Sequence, residues 1–521
     1  MTTIFSNPGS TEVPFLVDLP SDIRFVLALH EGSVVGIASG WAIAAAAPAL
    51  VLLHTTAGLG NAVGALATAR VNRAALVVLV GQQDRRHLDS EPFLTGRLRD
   101  LAGDYPVSVE EPPRAQDVPG AIRRAHARAR IGRGPALVIV PMDDWLAPAP
   151  EAYEVLGPRR LLIAPAVDDE AVGELAQMLE GARHPALVVG AGADDANAWR
   201  ALVTLAERLA CPVWQEPFGA RAGFPQDHPR FAGHLPAERS RLRAALAGSD
   251  CVLAVGAPIF RQYPFAPGPL VEPHTLLALV SDDAAEVQRS PADLAVLGDP
   301  AAVCSRLAQA LQPRTATTAA VATNDALAQP APDPPASQQA LLAGHVFDAL
   351  AQRLPADAIL IEETPSSRPE LHRRLRARQP LGFLSAAMGG LGFALPAAIG
   401  ARMALPERPV VAVLGDGSSL YAIQGLWTAA RYHVGVLFVV LVNGRYAVMD
   451  RLAEHQGGSP AWPDFDTVDI AALARAFGCE AVEVSEPRAL TAALDGAFAH
   501  LERTQPLLLA VTIEDERTFA P

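Results

Sequence analysis

"VVAVLGDGSSL" (410–420) runs five apolar residues into Gly415, Asp416 and Gly417. A run this uniformly apolar reads as a strand buried on both faces, which requires a mostly parallel sheet with helices packed on either side. Ligands of such sheets bind in the crevice beyond the carboxyl ends of the strands. Asp416 stands at that place. The next apolar run, "VGVLFVVLVN" (434–443), ends on Asn443. If the two strands lie close together, their two oxygen ligands share one edge. A carboxylate, an amide oxygen and a loop carbonyl leave the rest of an octahedron to water and phosphate oxygens, which suits Mg²⁺. Gly415 and Gly417 are expected to let backbone approach closely. Ser418 is expected to open a helix, "LYAIQGLWTAARY", whose N-terminus favours phosphate. A lone Gly-Asp-Gly is commonly just a turn; the Asn at this distance shifts the reading toward a metal-held diphosphate.

The same idiom recurs along the chain. At 521 residues the chain is too long for one core, and about three domains are expected. Residues 1–160 carry "FVLALHEG", "ALVLLHTTAG", "AALVVLVGQQ" and "PALVIVPMDDW" between helical stretches. Residues 170–312 repeat the pattern with "PALVVGAGADD", "CPVWQEP", "CVLAVGAP" and "TLLALVSDD". Residues 313–340 are rich in Pro, Ala and Thr and read as a linker. Residues 341–521 form a third block with "AILIEETPSS", "VVAVLGDGSSL" and "PLLLAVTI". The fold class is therefore α/β, with three successive doubly wound parallel-sheet domains.

Half of the residues are hydrophobic and 19% are charged, as a large, well-buried α/β protein requires. The net charge of −14 argues against a nucleic-acid partner, which needs a clustered basic face. The Arg-rich "IRRAHARARIGR" (122–133) reads as the solvated side of a helix. Four scattered cysteines without a CxxC pair suit a reduced, cytoplasmic setting. No apolar run reaches membrane-spanning length, and the start lacks the pattern of a signal peptide.

Gly-Asp-Gly followed at this spacing by Asn resembles the motif of thiamine diphosphate enzymes, although their Asn pair is here Val442-Asn443. The resemblance implies Asp416, Asn443 and the backbone carbonyl of Arg445 as ligands of Mg²⁺. It places Ser366, Gly417, Ser418 and Tyr446 near the diphosphate of the cofactor. "SAAMGGLGFALPAAIG" (385–400) resembles the segment that cradles the cofactor, through Gly389 and a bulky residue at Leu391. "HEGSVVGIASGWA" (30–42) resembles the segment with the cofactor-activating glutamate, Glu31, which by itself would read as a helix cap. The three domains then become pyrimidine-binding, central and diphosphate-binding. In this family the glutamate and the metal site come from different subunits, so a homodimer at minimum, and a homotetramer by analogy, is implied.

"SNPGSTEVPFL" (6–16), "LHTTAGLGNAVGAL" (53–66), "GQQDRR" (81–86) and "GAPIFR" (256–261) resemble the benzoylformate decarboxylase branch. Ser10 then matches the serine that binds the substrate carboxylate, and His54 matches a catalytic histidine. Tyr263 stands where that branch carries a second histidine. The chain begins a few residues before the Asn-Pro-Gly-Ser loop, where relatives have a further helix, which implies either a first domain shortened at its N-terminus or a true start that lies upstream. The implied activity is non-oxidative decarboxylation of an aromatic or bulky 2-oxo acid to an aldehyde, with carboligation as a side activity. The alternatives are an acetolactate synthase-type carboligase and a non-catalytic cofactor-binding subunit. Acetolactate synthases often bind FAD in the middle domain, but "VVGAGADDAN" (188–197) has Asp195 where a third glycine would stand, which argues against a dinucleotide.

Overall fold

The computed structural model describes residues 1–164, 166–314, 340–500 and 504–514. Most of the 313–340 linker therefore lies outside the described residues. Strands β1 (Thr3–Asn7), β2 (Arg24–Leu27), β3 (Ala49–Leu53), β4 (Leu76–Gln82), β5 (Ser108–Glu110) and β6 (Pro135–Pro141) form the first sheet, in the order β2-β1-β3-β4-β6-β5. The second sheet contains β7 (Pro185–Val189), β8 (Val213–Gln215), β9 (Phe231–His234), β10 (Cys251–Val255), β11 (Leu276–Ser281) and β12 (Leu294–Leu297). Its order is β12-β11-β10-β7-β8-β9. The third contains β13 (Ile359–Glu363), β14 (Phe383–Ser385), β15 (Val410–Gly415), β16 (Leu437–Val442), β17 (Glu480–Val484) and β18 (Leu507–Thr512), ordered β14-β13-β15-β16-β18-β17.

All named strand pairs are parallel. The first and third sheets thus share one topology, whereas the central sheet follows the order of a dinucleotide-binding fold. The uniformly apolar runs are the fully buried inner strands, as double-sided helix packing demands. The Arg-rich stretch lies on the helix Val118–Gly132, which buries Ala121, Ala125 and Ala129 against the first sheet. Its arginines are partly tethered: Arg124 pairs with Glu110, and Arg123 and Arg130 donate to carbonyls of Val155 and Leu161. The stretch expected as one helix after Asp416 is two, Asp416–Leu420 and Gly425–Arg431. Asp416 itself, not Ser418, opens the first. No described helix is long and apolar enough to cross a membrane.

The first and third domains share a continuous buried core that includes Val34, Ile37 and Ala38 of one and Leu395, Ala398 and Ile399 of the other. Its seam is the contact of the helix Glu31–Ala45 with the helix Ala394–Ala404. A Cβ on Gly40 would lie 2.0 Å from the carbonyl oxygen of Ala397, and one on Gly400 would lie 1.8 Å from that of Ile37. The two backbones touch because neither residue has a side chain. Overpacking that side chains can absorb costs about 1–3 kcal/mol. Here the obstructing atoms are backbone, so Gly400→Val should destabilise by about 3 kcal/mol or more, read as a lowered urea midpoint. Gly173→Ala is the contrast, since its Cβ meets open space inside a helix. That change should stabilise by about 0.5–1 kcal/mol.

The central domain is tied to both neighbours. Arg73 of the first domain pairs with Asp282 and Glu286 at 2.7 and 3.1 Å. His234 on β9 stacks on His372 of the third domain with ring centroids 3.9 Å apart. Burial depresses both imidazoles, His372 to about 3, so this contact is between neutral rings.

Candidate active site

The carboxyl edge of the first sheet gathers the first group of residues. β1 is flanked by β2 and β3, so the loops after these three strands are neighbours. Glu31 follows β2 as the first residue of its helix and is buried. Its carboxylate accepts from Asn7 Nδ2 and Asn61 Nδ2, each at 3.0 Å. The cap of this helix is not Glu31 but His30, whose Nδ1 accepts from the Gly32 amide. Ser10 follows β1 in a short 3₁₀ turn and is exposed. His54 closes β3 with its side chain 16% exposed.

Behind His54 stands a residue that the sequence reading passed over. Glu12 is fully buried, and its Oε2 lies 3.0 Å from His54 Nδ1; Thr11 Oγ1 lies 3.1 Å from the same nitrogen. Two glycines make this packing possible. A Cβ on Gly9 would lie 2.2 Å from the His54 ring, and one on Gly81 would lie 1.7 Å from Glu12 Oε1. The available signal was an acid following directly on Asn-Pro-Gly-Ser-Thr and ahead of "VPFL", where a carboxylate needs a partner to be buried.

The second group lies at the carboxyl edge of the third sheet. β15 and β16 are adjacent, so Asp416 and Asn443 project from one edge. Asp416 Oδ2 accepts from the amides of Asn443 and Gly444 at 2.8 and 2.7 Å, and Oδ1 accepts from Gly417 at 2.7 Å. Burial pushes the Asp416 carboxyl up, and the three amide donors pull it back. Gly417 is needed by the protein's own packing, because a Cβ there would lie 2.7 Å from the Tyr446 ring. Gly415 is not: it is extended, and its Cβ would make only an ordinary contact with Ser418. Ser418 is buried, and Ser366 Oγ accepts from the Val448 amide at 3.1 Å. Arg445 turns its guanidinium away to Asp450, at 2.8 Å, which leaves its role in the loop to the backbone.

Two further residues hold the segment around Gly389 and Leu391. Glu363, at the end of β13, accepts from the amides of Gly392, Phe393 and Ala394 at 2.7, 2.9 and 2.7 Å. Burial pushes its carboxyl up to about 7, against the pull of these donors. Asn72 of the first domain grips the start of the segment, donating to the Ser385 carbonyl and accepting from the Ala387 amide, both at 2.9 Å. Gly389 has φ of +69°, a left-handed turn that glycine adopts without strain, and Leu391 is partly exposed beside it. Tyr263 lies apart, in the central domain, with its amide bonded to the Ala237 carbonyl and its ring exposed.

The residues fit a divalent cation. Asp416 is a buried carboxylate with no Lys or Arg partner among the described residues, and its charge is held only by amide dipoles. No group of three or more His, Cys, Asp or Glu able to hold a metal occurs among the described residues. A cation at Asp416 would therefore rely on Asn443, a backbone carbonyl and phosphate oxygens, the donor set that Mg²⁺ accepts.

Three family models match the chain. The N-terminal TPP-binding domain of thiamine pyrophosphate enzymes matches residues 1–101, the central domain matches 172–307, and the C-terminal TPP-binding domain matches 366–511. The chain belongs to the thiamine pyrophosphate enzyme family. Among members of this family, benzoylformate decarboxylase of Pseudomonas aeruginosa is 38% identical, over 98% of this chain and 96% of its own length. The thiamine diphosphate-dependent 4-hydroxybenzoylformate decarboxylase of Rhodococcus jostii superposes with a TM-score of 0.91 at 33% identity, covering 99% of this chain and 97% of that one. Benzoylformate decarboxylase from Polynucleobacter necessarius also gives 0.91, at 34% identity, covering 99% and 96%.

The central domain of this family member keeps the dinucleotide strand order, but its glycine turn is tied to the neighbouring strand's loop. The Gly192 amide donates to the Gly256 carbonyl at 2.8 Å, and Asp195 caps the helix Ala196–Leu209 by accepting from Asn197 and Ala198. A pyrophosphate would meet a carboxylate where it needs free amides.

Proposed function

We propose that this thiamine diphosphate-dependent carboxy-lyase removes carbon dioxide from an aromatic or bulky 2-oxo acid of the benzoylformate kind and releases the aldehyde. The observation that carries this reading is the buried Glu12–His54 pair beside exposed Ser10, on the sheet edge that also presents Glu31. Thiamine diphosphate, when bound, supplies the electron sink for loss of carbon dioxide. The protein's residues do the rest. Glu12 fixes the His54 ring through Nδ1 and leaves Nε2 to exchange a proton with the substrate. The Ser10 hydroxyl donates to the substrate carboxylate. Glu31, held between Asn7 and Asn61, would hold a proton at the aminopyrimidine end of the cofactor. Asp416, Asn443 and the Arg445 carbonyl would hold Mg²⁺, and Ser366, Gly417, Ser418 and Tyr446 would line the place of the diphosphate. Glu363 and Asn72 position the Leu391 segment, which would meet the cofactor.

Exposed apolar side chains adjoin both groups of residues: Leu29 beside Glu31, and Met388, Tyr421, Tyr446 and Met449 in the third domain. Such residues mark an interface, which supports completion of the site by a second copy in a homodimer, itself paired into a tetramer. A panel of 2-oxo acids, read by carbon dioxide release and product mass, tests the reaction. Free aromatic aldehyde is the expected product. A longer hydroxyketone as the main product would favour the carboligase alternative instead.

Tyr263 sets the expected balance between release and carboligation. A phenol is a weaker acid than an imidazolium, so the carbon that loses carbon dioxide is protonated more slowly than with a histidine at this place. Tyr263→His should therefore raise aldehyde release and lower the share of hydroxyketone formed with an added acceptor aldehyde. Unchanged turnover and product ratio would place residue 263 outside the proton path.

A further inference from the structure

The end of the helix Ala343–Ala351, the loop at Leu354 and Pro355, and the segment 373–378 enclose a cavity of about 240 Å³. Four arginines are among the residues that line it, Arg373, Arg374, Arg376 and Arg378, with one acidic residue, Asp348; the others, Ala351, Leu354, Pro355 and Leu375, are apolar. Arg374 is fixed in place. Its Nη1 lies 2.6 Å from both oxygens of Asp348, its Nη2 lies 2.9 Å from Glu370, and its side chain is only 8% exposed. Nevertheless Arg374 Nε has no acceptor among the described residues. Arg373 pairs with Glu370, whereas Arg376 and Arg378 have no carboxylate partner among the described residues.

In a chain of net charge −14, two guanidinium groups without a carboxylate among the described residues, Arg376 and Arg378, beside two already paired ones leave an excess of positive charge at one small cavity, which an anion would offset. Guanidinium forks match phosphate oxygens two N–H groups at a time. The location separates this cavity from the cofactor edge. Its residues precede β13 and β14, so it lies at the amino ends of these parallel strands, opposite the carboxyl edge that carries Asp416. We propose that the cavity is a second anion site, which binds a small metabolite through its diphosphate group. The apolar lining accommodates a nucleoside if the ligand carries one.

Calorimetry on the holoenzyme, saturated with thiamine diphosphate and Mg²⁺ at low salt, tests this with inorganic pyrophosphate and ADP as separate probes. Pyrophosphate should bind one site per chain. Affinity should fall at least about tenfold in Arg376→Ala/Arg378→Ala and stay unchanged in Arg97→Ala, an exposed arginine of the first domain outside the cavity, since two unpaired charge-assisted contacts are lost only in the former. ADP binding with the same dependence identifies a nucleotide, and pyrophosphate binding alone identifies a bare diphosphate. Should the double variant fail to fold, the exposed-site variant Arg378→Gln takes its place. No binding by the wild-type holoenzyme overturns the proposal. Binding that the arginine variant leaves intact also overturns it, by placing the anion elsewhere, and leaves the decarboxylase reading intact.

Discussion

Glu31→Gln should keep thiamine diphosphate bound but lose about 10² to 10⁴ in the rate of hydrogen exchange at the cofactor's C2, the usual cost of removing a positioned acid or base. The side chain is buried and gripped on both oxygens, by Asn7 and Asn61. An amide of the same size fits that space, so binding survives, but it cannot pass a proton. Exchange followed by NMR on the bound cofactor reads the step without any substrate. A wild-type rate in the variant would reduce Glu31 to a packing residue at the start of its helix.

The second large effect is expected at Asp416. Its carboxylate is the only charged protein ligand proposed for the cation among the described residues, and it also ties three amides of the two loops together. Loss of an outer partner of a metal ligand commonly costs 10–100-fold in affinity. Loss of the ligand itself, in Asp416→Ala, should thus weaken cofactor binding by about 100-fold or more. Asp416→Asn separates the two roles in part: its one oxygen can still accept from the Asn443 and Gly444 amides, the Gly417 amide loses its acceptor, and the charge is gone, so the variant should lose less stability than Asp416→Ala while still binding cofactor poorly. Calorimetry at fixed Mg²⁺ checks both. Wild-type affinity in Asp416→Ala would remove the metal assignment.

The three-sheet architecture was legible because most of its long inner strands, such as β3, β4, β7, β10, β15 and β16, are nearly unbroken apolar runs that end in glycine or a polar residue at the carboxyl edge. The edge strands were not. β17, "EAVEV", and β12, "LAVL", are short and only partly buried, so their pattern carries little signal. The break after Asp416 was missed because "LYAIQGLWTAARY" has helical composition on both sides of its turn at 421–424. Of the residues that would touch ligand directly, Asp416 and Asn443 stood out by type and spacing, and Glu31 through the family resemblance of its segment. The residues that hold them did not. Glu12, Glu363 and Asn72 act on groups 42, 29 to 31 and 313 to 315 positions away, and such pairings appear only when sheet order brings distant loops together. Nor does local sequence mark Gly40 and Gly400 as the points where two helices meet in backbone contact, since that contact joins residues far apart in the chain.

The most direct test of the account is carbon dioxide release from benzoylformate by protein stripped of cofactor and metal. The account predicts no turnover with thiamine diphosphate alone or Mg²⁺ alone, and turnover with release of benzaldehyde when both are restored. Release at an equal rate without either one would contradict it.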